Sequence, residues 1–141
     1  MKHLLILIAV VIAVGSFATK AAACVCPLPD GALTEQINSA RTHSRSVFSG
    51  QVLKIERAFP VVLVTFQVDA VWKGASLKTV TVTTGTGSCG YGFLIGEQYL
   101  VYAYGGPKAT DLFTSVCTRT ALFSQATADL KLLGKPRRRR T

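Results

Sequence analysis

A chain of 141 residues, 49% hydrophobic and only 16% charged, has the size of one domain and is too apolar to be an intrinsically disordered one. Its 16 Lys and Arg against 7 Asp and Glu give +9 at neutral pH, but the excess is concentrated at the ends, in Lys2, Lys20, Lys135 and Arg137 to Arg140. The nearly neutral middle argues against a nucleic-acid reader, which spreads basic residues with interleaved aromatics along a folded face.

Met1-Lys2-His3 is a basic head, and Leu4 to Val14 is an apolar run shorter than the roughly 20 residues that a helix needs to cross a bilayer. Gly15-Ser16 breaks the run, and Ala21-Ala22-Ala23 offers the small side chains that a signal peptidase accepts. Residues 1–23 therefore read as a secretory signal, which leaves no membrane span and places the mature chain outside the cell. A retained membrane anchor is one competing reading. Another makes Cys24 the acylated cysteine of a bacterial lipoprotein, periplasmic or lipid-anchored. That class prefers a leucine-like residue where this chain has Ala21.

A cut after Ala23 makes Cys24 the first residue, with its α-amine free. All four cysteines (Cys24, Cys26, Cys89, Cys117) lie in the mature part, and an even number in an exported chain implies two disulfides. Joining Cys24 to Cys26 would close a tight ring that staples nothing. Each of the two long-range pairings closes loops worth about 4 kcal/mol of chain entropy per bond. A zinc site of four thiolates is disfavoured by export and by the missing Cys-x₂-Cys knuckle.

The mature chain opens extended, through Cys24-Val25-Cys26-Pro27-Leu28-Pro29. Asp30 is the expected N-cap of a short helix with Leu33, Ile37 and Ala40 on one stripe, ending near Ser44. The period then changes to two. Val47 to Ile55 and Val62 to Trp72 read as a hairpin turning at Phe59-Pro60, and Thr79 to Thr84 as a third strand. Gly85-Thr86-Gly87-Ser88-Cys89-Gly90-Tyr91-Gly92 is glycine-rich, but it lacks the Lys-Ser/Thr ending and the following helix of a phosphate loop. Gln98 to Tyr104 is a fourth strand and Leu112 to Cys117 a short fifth. Leu122, Ala126, Leu130 and Leu133 mark a final helix stopped by Gly134 and Pro136. Five antiparallel strands with a helix at each end are too few for an immunoglobulin-like sandwich. They predict a mainly β fold, a small OB-like barrel with flanking α-helices.

Several short motifs recur in one order: Cys24-x-Cys26-x-x-Pro29, Val47-Phe48-Ser49-Gly50, Trp72-Lys73-Gly74, Ser88-Cys89-Gly90-Tyr91, Gly96-x-x-Tyr99-Leu100-Val101-Tyr102-Ala103 and Thr114-Ser115-x-Cys117. In these the chain resembles the netrin-type modules, and in particular the amino-terminal domain of the tissue inhibitors of metalloproteinases. The resemblance covers nearly all of residues 24–133, which makes 24–134 one domain and leaves 135–141 as a basic tail. It implies a five-stranded OB-like barrel and the pairings Cys24 with Cys89 and Cys26 with Cys117. It also implies a function, inhibition of a zinc metalloprotease. The α-amine and carbonyl of Cys24 would chelate the protease's zinc and displace its water, while Val25 enters the adjoining pocket. Cys26 and Pro27, together with Thr86, Gly87, Ser88 and Cys89, would complete the contact ridge. No cofactor of the chain's own is implied.

Netrin-type modules also serve as plain protein-binding domains, and this chain has cysteines for two disulfides where the inhibitors' amino-terminal domain has three. A binding module without inhibitory activity is thus the alternative. A third reading is a salt-sensitive binder of nucleic acid or acidic surfaces through Lys135 and Arg137 to Arg140. An enzyme is not expected. His43 is the one histidine beyond the signal, and no carboxylate pair or His-Glu-x-x-His pattern is legible.

Overall fold

In a computed structural model of the chain, residues 23–27, 30–108 and 110–137 are described. The expected signal up to Ala22, Leu28-Pro29 and residues 138–141 of the expected tail lie outside them. Helix α1 (Leu33–His43) is followed by β1 (Ser46–Ala58), β2 (Val61–Lys73), β3 (Thr79–Gly85), β4 (Gln98–Gly105), β5 (Leu112–Phe113) and β6 (Ala121–Leu122). A single 3₁₀ turn (Phe123–Gln125) leads into α2 (Thr127–Leu133).

The strands close on themselves in the order β1-β2-β3-β5-β4, with β4 returning to β1 and β6 added to β4. The expected wholly antiparallel sheet is corrected at one place: β3 and β5 pair in parallel, because β5 turns back antiparallel on β4 and so runs the same way as β3, while all the other pairings are antiparallel. Closure rests on β1, which pairs with β2 along its length while Ser46 to Gln51 also pair with β4. Gly50 is needed there. A Cβ on it would fall 2.5 Å from the carbonyl oxygen of Gln67, where the β1–β2 register shifts.

Alternation of side chains along β1, β2 and β4 feeds two cores. Phe48, Val71, Val101 and Ala103 face the barrel interior with Phe66, Val68, Val82 and Phe93. Their neighbours Val47, Trp72, Leu100 and Tyr102 face outward, into a second core with Ile37 of α1 and Leu133 of α2. Ser46 to Gly50 are buried throughout for this reason, because both faces of that strand segment are covered.

Four local expectations are corrected. Asp30 is not the N-cap of α1: Gly31 at φ +85° separates it from the helix, and Ala32 occupies the cap. The first turn is completed instead by Glu35, whose Oε2 accepts from the Ala32 N–H at 3.0 Å. Leu33 is exposed, so only Ile37 of the proposed stripe is fully buried. The fifth strand stops at Phe113, because Ser115 and the residues after it form local bonds, Thr118 N–H to Ser115 O at 3.1 Å and Cys117 N–H to Ser115 Oγ at 3.2 Å. The last helix begins at Thr127, since Leu122 pairs with Tyr99 as part of β6.

Helix α2 is fixed by a polar contact beneath it. Asp129, 6% exposed, accepts from Arg119 Nε and Nη2 at 2.8 Å each and from the Tyr102 hydroxyl at 2.9 Å. Burial first, then the bond to Asp129, raises the Tyr102 phenol well above its ordinary 10.0. The folded state therefore favours the neutral phenol. Its stabilising contribution is complete below pH 10.0 and is lost as pH rises beyond it. Asp129→Asn should lower unfolding free energy by about 2–3 kcal/mol at neutral pH, read as a shift in the urea midpoint. Tyr102→Phe should make the alkaline decline in stability shallower; an identical slope in the variant would contradict this assignment.

Candidate functional site

Residues 23–27 belong to no helix or strand, so no ladder of backbone bonds positions them. Cross-links do. Cys24 is bonded to Cys89, 65 residues away, and Cys26 to Cys117, 91 residues away, with Cα–Cα distances of 4.9 and 5.1 Å. Cys89 lies in the glycine-rich loop between β3 and β4, and Cys117 in the loop after β5. The loops are themselves joined, since the Val116 N–H donates to Cys89 O at 3.1 Å. Val25 sits between the two anchored cysteines and is 88% exposed.

Both loops are held from below. Thr86 donates through its N–H and its hydroxyl to Pro60 O, at 3.3 and 3.2 Å, tying the glycine-rich loop to the β1–β2 turn. The Gly90 N–H returns to Gly87 O at 2.9 Å, and a Cβ on Gly90 would collide with Gly85 O, so this turn needs glycine. Phe93 then plunges into the barrel, its ring 5.2 Å from that of Phe66 and 4.9 Å from that of Tyr99. In the other loop, Thr114 Oγ1 donates to Tyr102 O at 3.2 Å and lies 2.9 Å from the hydroxyls of both Thr118 and Thr120.

Cys24, Val25, Cys26, Pro27, Cys89 and Cys117 thus converge at one place. Thr86, Gly87 and Ser88 lie exposed on the Cys89 loop, and Thr86 and Gly87 also line a cavity of about 320 Å³ with Arg57, Val62 and Tyr91. None of the residues Cys24 to Pro27, Gly85 to Gly92 or Ser115 to Thr118 carries a charged side chain. Two neighbours escaped the sequence reading: Phe59, 90% exposed at the hairpin tip beside Pro60, and Val116, 41% exposed next to Cys117. An apolar residue in a turn or between two polar loop positions was the available signal for each.

The sulfurs of Cys24, Cys26 and Cys117 lie within 4.8 Å of one another, a spacing that suits a metal. All four cysteines are oxidised in disulfides, however, and a disulfide sulfur is not a thiolate ligand. A second cavity, of about 480 Å³, is lined by Ser39, His43, Asp30 and Tyr104. Ser39 Oγ is 3.4 Å from His43 Nδ1, which invites comparison with a serine nucleophile and its base. His43 Nδ1 also lies 2.8 Å from Ser39 O. A carbonyl only accepts, so that nitrogen carries its proton and cannot take one from the hydroxyl.

Compared with known protein families and with characterised proteins, the chain matches no family model and no relative.

The tethering of residues 23–27 by cross-links has a measurable consequence. Replacing Cys26 and Cys117 together by serine should lower stability by about 4 kcal/mol. It should also make the Val25 backbone cleavable by a nonspecific protease while the barrel resists; equal resistance of the variant and the parent would show that the bond does not position this segment.

Proposed function

We propose that the mature chain is an exported inhibitor of zinc metalloproteases of the tissue-inhibitor type, built on an OB-like barrel. The observation that carries this reading is the exposed Val25 between two cysteines each bonded to a different loop. The closed strand order with parallel β3 and β5 supports the OB-like assignment. The disulfides suit export, and among the described residues no helix is long and apolar enough to cross a membrane.

In this reading, cleavage after Ala23 leaves the α-amine of Cys24 free. An α-amine of ordinary pKa, about 7.7–8.0, is partly neutral near neutrality, and its lone pair together with the Cys24 carbonyl oxygen fits the open position of a catalytic zinc. The zinc belongs to the target protease. Val25 projects beside it into an apolar pocket, while the uncharged ridge of Thr86, Gly87 and Ser88 meets the protease without burying a charge. Because the disulfides fix the segment beforehand, little ordering entropy is lost on binding.

A second reading has its own observation. One surface depression is lined by Asn38, Arg41, Thr42, Lys73 and Arg137, three cations with no acid among the lining residues. Arg137 is held there by its N–H donating to Val71 O at 2.7 Å. This favours weak, salt-sensitive contact with acidic surfaces, compatible with a netrin-like binding module that inhibits nothing.

One experiment separates the two. Adding one alanine before Cys24 should abolish inhibition across a metalloprotease panel with the melting temperature unchanged, because the extended chain can no longer present an amine to zinc. Val25→Gly should weaken inhibition by about tenfold or more, the worth of one apolar side chain in a pocket. An inhibition constant unaffected by the extension would eliminate the zinc mechanism, and no inhibition by either form would leave the binding module.

A further inference from the structure

We infer that Cys89 is a site of attack by a small thiol, and that this attack exchanges the partners of both disulfides at the chain end. The inference does not depend on protease inhibition. It rests on how closely the two disulfides approach: Cys24 Sγ lies 3.7 Å from Cys117 Sγ, the sulfur of the other bond. The sulfurs of Cys24, Cys26 and Cys117 fall within 4.8 Å of one another. Cys89 and Cys117 are exposed, while Cys24 and Cys26 are half-buried. An approaching thiolate therefore reaches the two loop cysteines more readily than Cys24 and Cys26.

The sequence of steps conserves electrons and leaves the thiol unconsumed. A low-molecular-weight thiolate such as glutathione attacks Cys89 Sγ; a mixed disulfide forms, the Cys24–Cys89 bond breaks, and its electron pair leaves on Cys24 Sγ. That new thiolate lies 3.7 Å from Cys117 Sγ and, freed from Cys89, swings into line with the Cys26–Cys117 bond. Attack there forms Cys24–Cys117, breaks Cys26–Cys117 and leaves the charge on Cys26 Sγ. The Cys26 thiolate then attacks Cys89 Sγ of the mixed disulfide, forms Cys26–Cys89 and expels the original thiolate. Nothing is oxidised or reduced overall. The product is the other long-range pairing of the same four cysteines, and it moves Cys24 from the glycine-rich loop to the loop after β5. Thiol exposure would thereby reposition the exposed segment around Val25 without unfolding the barrel.

The test uses the disulfide-bonded mature protein in native buffer with substoichiometric glutathione, trapping by N-ethylmaleimide, and disulfide mapping by mass spectrometry. Cys24 and Cys26 share one tryptic peptide, so fragmentation between them must assign each link. The expected result is the appearance of Cys24–Cys117 and Cys26–Cys89 links. Finding only the original links plus a glutathione adduct on Cys89 would overturn the inference. So would an equal yield of the Cys24–Cys26 link, the mark of random reshuffling in an unfolded chain. Cys26→Ala supplies a second measurement, for it leaves the Cys117 thiol facing Cys24. Part of Cys24 should then be bonded to Cys117 with no thiol added, and Cys24 wholly bonded to Cys89 would count against the exchange.

Discussion

The arrangement of this protein depends on two covalent cross-links between a segment, residues 23–27, that has no ladder of its own and two loops that do the holding. A segment of about five residues outside any helix or strand samples many conformations when nothing ties it down. Here Cys24 and Cys26, one residue apart, are tied to positions 65 and 91 residues along the chain, so the segment between them has almost no freedom left. The exposure of Val25 follows from that restraint, and so does every functional reading that uses a preformed ridge.

Cross-links position a segment only as well as their far ends are positioned, and the barrel supplies that stiffness. The glycine-rich loop enters from β3, is pinned to the β1–β2 turn through Thr86, and is anchored at its far side by Phe93 in the aromatic cluster with Phe66, Tyr91 and Tyr99. The loop carrying Cys117 hangs from β4 by the hydroxyls of Thr114 and Thr120. The polar contact of Arg119, Asp129 and Tyr102 then closes the same loop against α2. The two cores, inside the barrel and under the helices, share β1 and β4, which are buried on both faces over part of their length.

Much of this was legible in the sequence, and the failures have physical causes. Long strands with alternating β-branched residues, such as Val62 to Trp72 and Thr79 to Thr84, announce themselves because period two over many residues has no helical counterpart. Leu112 to Cys117 opens with the apolar pair Leu112-Phe113 and reads as a strand, but Ser115 and Thr118 satisfy the backbone locally and end it at Phe113. Leu122 has helical spacing with Ala126 and Leu130, yet the open edge of β4 captures it as β6. The burial of Asp129 had no signal in the sequence, since its partner Arg119 lies before the 3₁₀ turn and outside any period. The convergence of Cys24 to Pro27 with the Cys89 and Cys117 loops is a consequence of topology, which spacing alone left open between two pairings.

The account turns on what the first residue of the mature protein is and what its atoms are bonded to. Intact mass and amino-terminal sequencing of the protein recovered after export address both at once. The account predicts a chain beginning at an unmodified Cys24 with every cysteine in a disulfide. A preceding residue, an acyl group on Cys24 or a free thiol would contradict it.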